Sequence, residues 1–129
     1  MTAMQSVTYL GILLVTAGVH GLILRFAVRL MVNVAIPMPV AYGIIAAEYA
    51  AAGAIAGALL LAGNPAWQLQ VALAAACLIG IGAALIGRRV AFPGSEPVGV
   101  GNGILIQFMQ VPMIIPPAIL LSFFIVPPW

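Results

Sequence analysis

The chain has 129 residues, 65% of them hydrophobic and 5% charged, with a formal net charge of +2. Soluble domains carry roughly 25% charged residues, so this composition excludes a water-soluble globular domain and indicates a single transmembrane domain over residues 1–129. Four arginines and two glutamates make up the whole charge, with no Lys and no Asp, and so small a positive balance gives no reason to expect nucleic acid as a partner.

A spanning helix needs about 20 mostly apolar residues. The first such window is Val7–Leu30. It has no basic stretch before Arg25, so it reads as a retained span and not as a secretory leader. Gly11, Gly18, Arg25 and Arg29 share one face, with Tyr9, Thr16 and His20 nearly opposite. Small residues let helix backbones approach closely, so the glycine face is expected to pack against a neighbour. Pro37-Met38-Pro39 ends this segment, and the second window runs Val40–Ala62. Its small face is Ala46, Ala50, Gly53 and Gly57, a GxxxG motif that fits either oligomer contact or packing within one subunit. Glu48 projects from the other side, on the side of Ala52, Ile55 and Leu59.

The Gly63-Asn64-Pro65 turn is short enough to make the second and third helices an antiparallel hairpin. The third window, Trp67–Gly87, contains the single Cys77 among Ala and Leu. One cysteine forms no intrachain disulfide and no metal pair, and Cys77 is expected to be a small hydrophobe in a packed helix. After the turn Phe92–Pro97, the fourth window is Gly103–Val126, with Pro112, Pro116 and Pro117 at its centre. Each proline removes a backbone donor and frees a carbonyl. The expectation is a kink near Pro112, either a plain bend or an unwound segment lining a site. With the chain ending at Pro127-Pro128-Trp129, no further domain is expected.

Backbone groups in hydrocarbon must bond internally, so the fold expected is all-α, an integral membrane four-helix bundle. Arg25 and Arg29 close the first helix and Arg88 and Arg89 the third, which puts all four on one side. The positive-inside rule makes that side cytoplasmic and places both termini on the non-cytoplasmic side of a cytoplasmic (inner) membrane. Trp67 and Trp129 then fall at the outer boundary, where amphipathic rings favour the interface.

Three polar side chains reach similar depth. At roughly 1.5 Å per residue, His20 lies about 15 Å, Glu48 about 12 Å and Gln110 about 10 Å from the cytoplasmic boundary. An ionisable group at such depth marks a partner, a pathway or a site. A lone carboxylate there is costly, so Glu48 should be protonated or paired with His20 or an amide. His20, Glu48, Gln107 and Gln110 are therefore the candidate residues for a proton or ligand site, against the alternative of a polar clamp that sets helix register. No catalytic triad can be assembled from one His and no Asp. A bis-His haem site and a phosphate-binding loop are also missing, so no haem or metal site of the chain's own is expected.

From Pro37-Met38-Pro39 through Ala46-Ala47-Glu48, Gly53, Leu59-Leu60-Leu61 and Gly63, the chain resembles the DoxX-like family of small four-helix membrane proteins. Ala17-Gly18 resembles that family's first-helix AG, although His20-Gly21 stands where a Lys is usual, and the resemblance runs from Leu10 to Gly63. It carries over Glu48 and the Pro37/Pro39 turn, and implies a link to quinone-dependent oxidoreductases and membrane redox complexes. The expected function is accordingly a small membrane subunit or partner of a quinone-linked redox system, with quinone as the cofactor to test. The alternatives are a proton-coupled small-molecule transporter acting as an oligomer and a purely structural accessory subunit. The sequence does not decide whether the chain is an enzyme. Expected partners are the lipid bilayer and other membrane subunits or further copies of the chain.

Overall fold

A computed structural model describes residues 3–63, 67–94 and 96–125. Four α-helices follow one another in chain order: α1 (Ala3–Val32), α2 (Met38–Leu61), α3 (Trp67–Arg89) and α4 (Gly99–Ile125). Among the described residues, α1, α2 and the Gly99–Pro117 part of α4 are each long and apolar enough to cross a membrane.

The helix ends follow local chemistry. α1 stops at Asn33, whose φ of 53° turns the chain left-handed, a conformation asparagine tolerates better than most residues. Its N–H closes the helix on the Arg29 carbonyl at 3.1 Å. Pro37 caps α2 in an extended conformation and Pro39 sits in the first turn, where a missing N–H leaves no helical bond unmade. The Gly63-Asn64-Pro65 turn lies beyond Gly63 outside the described residues, as does Trp129. Between α3 and α4 the chain turns back on itself, with Phe92 N–H donating to Glu96 O at 2.8 Å and Val98 N–H to Val90 O at 2.9 Å.

The fourth helix departs from expectation. It begins at Gly99, not Gly103, and remains helical through Pro112, Pro116 and Pro117. There is no unwound segment: the α-helical path continues on either side of each proline despite the missing donors.

Each helix packs against two others: α1 against α2 and α4, and α3 against α2 and α4. The buried core lies at one end. It joins Leu24, Ala27 and Val28 of α1 and Ile44 and Ile45 of α2 to Ile86 and Ile106, and it includes Val34 and Ile36 from the first loop with Val90 and Val98 from the third. Loops one and three, with Arg25, Arg29, Arg88 and Arg89 beside them, therefore share this end. Toward the other end, Leu10, Leu13, Leu14, Leu60, Leu61 and Phe123 are exposed, an apolar surface far larger than water tolerates.

The glycines that permit close packing are not those of the apparent small faces. A side-chain carbon at Gly11, Gly18, Gly53 or Gly57 would meet nothing within 4 Å. Among the described residues the predicted packing of these small faces within the chain does not occur. The close approaches occur at Gly87, which abuts the Gly99–Val100 backbone, at Gly103, which abuts Ala83, and at Gly21, which faces the Tyr42 ring. Cys77, expected in a packed helix, is exposed on α3. Which small residues face a neighbour depends on how the helices are rotated, and helix period alone does not fix that rotation.

Candidate functional site

The four polar candidates meet, with an intervening order that sequence did not anticipate. His20 comes from α1, Glu48 from α2, and Gln107 and Gln110 from α4, where their i, i+3 spacing puts both on one face. Glu48 and Tyr49 are consecutive, about 100° apart around the helix, so Glu48 is directed toward α4 and Tyr49 toward His20. Glu48 is 3% exposed and Gln110 1%.

The five side chains form one continuous hydrogen-bonded chain. The Tyr49 hydroxyl lies 3.3 Å from His20 Nδ1, and the two rings are tilted at 46° with centroids 5.7 Å apart. His20 Nε2 lies 3.1 Å from Gln110 Oε1. Gln110 Nε2 donates to Gln107 Oε1 at 3.1 Å, and Gln107 Nε2 donates to Glu48 Oε1. An amide oxygen only accepts, so Nε2 of His20 carries the proton. In the neutral ring Nδ1 is then the acceptor for the Tyr49 O–H. Every donor points the same way, from Tyr49 to Glu48. Among the described residues no fully buried side-chain polar atom lacks a partner, the condition under which such a network rigidifies its surroundings.

His20 and Glu48 are thus linked but do not touch: two amides stand between them. The direct pair expected from their matching depth is replaced by a relay, because α1 and α2 present these side chains to α4 and not to each other. Among the described residues α2 and α4 make no close backbone approach, and the Glu48–Gln107 bond crosses the interior between them. Gly82 of α3 leaves the necessary space. A side-chain carbon there would overlap Gln107 Nε2 and Glu48 Oε1.

A cavity of about 230 Å³ opens beside this chain. The five polar residues form one wall, and Ala75, Leu78 and Ile79 of α3 with Val111 and Ile114 of α4 form the apolar remainder. Each glutamine amide has two N–H bonds, and the chain uses one of each. Among the described residues no three His, Cys, Asp or Glu side chains are grouped to hold a metal.

Sequence reading missed Tyr49 and Gly82. Tyr49 carried a usable signal, since a hydroxyl inside a span needs a partner. Gly82 carried none, being one of many small residues on α3. Of the basic residues, Arg25 is half-buried and Arg29, Arg88 and Arg89 are exposed, and none lines the cavity beside the polar chain.

No protein-family model matches this sequence, and neither a curated protein nor a solved structure matches it. The DoxX-like resemblance therefore rests on the residues quoted for it.

Proposed function

We propose that the chain is a four-span protein of the cytoplasmic membrane, with both termini outside the cytoplasm, and that it serves as a small subunit or partner of a quinone-linked redox system. Its cavity would receive the quinone ring. The observation that carries this reading is the five-residue hydrogen-bonded chain forming one wall of an otherwise apolar cavity. A quinone is a flat apolar ring with two carbonyl acceptors. It suits a pocket with apolar walls and one polar wall of amides, imidazole and carboxyl, and its reduction requires protons that His20 or Glu48 can pass on. The electrons would come from a partner subunit. The transporter alternative would use Glu48 as a coupling carboxylate, but α4 stays helical through its prolines and offers no unwound segment to serve as a gate.

The test uses a short-chain benzoquinone and the full chain in mild detergent. Leu78→Phe fills the cavity from a position outside the polar chain. It should reduce quinone retention by about tenfold with little change in the thermal-unfolding midpoint. No retention by the wild type, or equal retention by the variant, would refute the proposal.

Topology is tested separately. Four arginines at the end formed by loops one and three favour that end being cytoplasmic. Reporter fusions within 93–98 and after residue 129 should report opposite compartments, and identical reports would overturn the four-span arrangement.

A further inference from the structure

The inner end of α1 carries a feature independent of the polar chain. Leu22, Arg25, Phe26 and Arg29 recur at the i, i+3, i+4, i+7 spacing of one helix face. With Ala35 and Ile36 of the first loop they line a second cavity of about 230 Å³. Arg25 Nε donates to the Ile36 carbonyl at 3.0 Å. This bond anchors the guanidinium and leaves its terminal N–H groups for an occupant. Arg29 stands one turn further on, exposed. Of the two carboxylates, Glu48 is bonded to Gln107 in the interior and Glu96 is exposed in the third loop. Among the described residues neither arginine is in an ion pair.

We propose that this cavity binds a phosphate-ester anion, supplied in the membrane by the headgroup of an anionic phospholipid. A guanidinium presents a planar fork that matches phosphate oxygens, and two of them at i, i+4 reach a common anion. One turn deeper along the same face, Leu22 and Phe26 are 52% and 61% exposed, so they offer the lipid's glycerol and acyl region an apolar surface beneath the phosphate. Basic pockets at the cytoplasmic ends of spans take anionic headgroups for this reason. Topology alone would require positive charge at this end, but not an arginine anchored at a cavity that a second arginine lines. Arg88 and Arg89 supply the contrast, since they carry equal charge at the same end without lining this cavity.

The experiment titrates the full chain, in a nonionic detergent, with phosphatidylglycerol or phosphatidylcholine and follows the thermal-unfolding midpoint. Phosphatidylglycerol should raise the midpoint saturably and phosphatidylcholine should not. Arg29→Gln removes one fork from an exposed position whose side chain makes no hydrogen bond among the described residues, and should weaken the apparent affinity about tenfold. Arg29→Lys keeps the charge but loses the fork and should fall between the two. The double substitution Arg88→Gln/Arg89→Gln should leave affinity within about twofold. Equal weakening by that double variant would show diffuse attraction to basic charge and overturn the site. Equal stabilisation by inorganic phosphate would overturn the lipid as its source. Neither result bears on quinone retention, so this site and the interior cavity stand or fall separately.

Discussion

Gly82→Val is expected to lower stability by about 3 kcal/mol. Any side-chain carbon at Gly82 would occupy the positions of Gln107 Nε2 and Glu48 Oε1. Either α3 moves outward, opening its close contacts with α4, or the Glu48–Gln107 bond breaks and leaves a buried carboxylate without its donor. Overpacking costs typically about 1–3 kcal/mol, and breaking a buried polar network adds to it. Gly80→Val is the matched control, because a side-chain carbon there meets nothing within 4 Å. Thermal unfolding of both variants in the same detergent decides the matter. Comparable losses from the two would mean that Gly82 is not the space on which the polar chain depends.

The second large effect is at Glu48. Glu48→Ala removes the acceptor for a buried amide, and a buried donor left unsatisfied costs about 1–3 kcal/mol. Glu48→Gln keeps an oxygen for Gln107 Nε2 and should stay closer to the wild type. The double variant Glu48→Ala/Gln107→Leu should cost less than the sum of the two single changes, by about 1 kcal/mol, since removing both partners leaves no orphan between them. Unfolding midpoints of the four proteins provide the measurement. Strict additivity would show that the bond contributes nothing, and equal losses from Ala and Gln would show that the acceptor oxygen is not what matters. The Gln variant also separates two roles. A clamp survives it intact, whereas a proton carrier keeps its fold and loses its proton.

Much of the architecture was legible before any coordinate. The helices lie close to the apolar windows because in hydrocarbon a backbone can satisfy itself only locally, and apolar run length is a one-dimensional property. Pro37-Met38-Pro39 marked the start of α2 for a similar reason, since proline's missing donor acts where it stands. Of the two outcomes expected of the proline run in α4, the unwound segment does not occur. The missing bonds are few, and the helix continues on either side of them.

The site divides along the same line. His20, Glu48, Gln107 and Gln110 could be picked out from sequence because polar groups among apolar residues are conspicuous, and their depth follows from counting residues. Their order of bonding could not. It depends on the rotation of each helix about its axis, which placed two amides between His20 and Glu48 and brought Tyr49 to the imidazole. The same rotations left Gly53 and Gly57 open and turned Gly82 inward. Composition and spacing along the chain, by themselves, determined the helical class, the approximate helix bounds, the common end of the four arginines and the polar candidates. Tertiary packing alone decided which of those candidates touch, which glycines make room for them, and that Arg25 and Arg29 share a cavity, because contact between helices depends on rotation and approach, which a linear pattern does not encode.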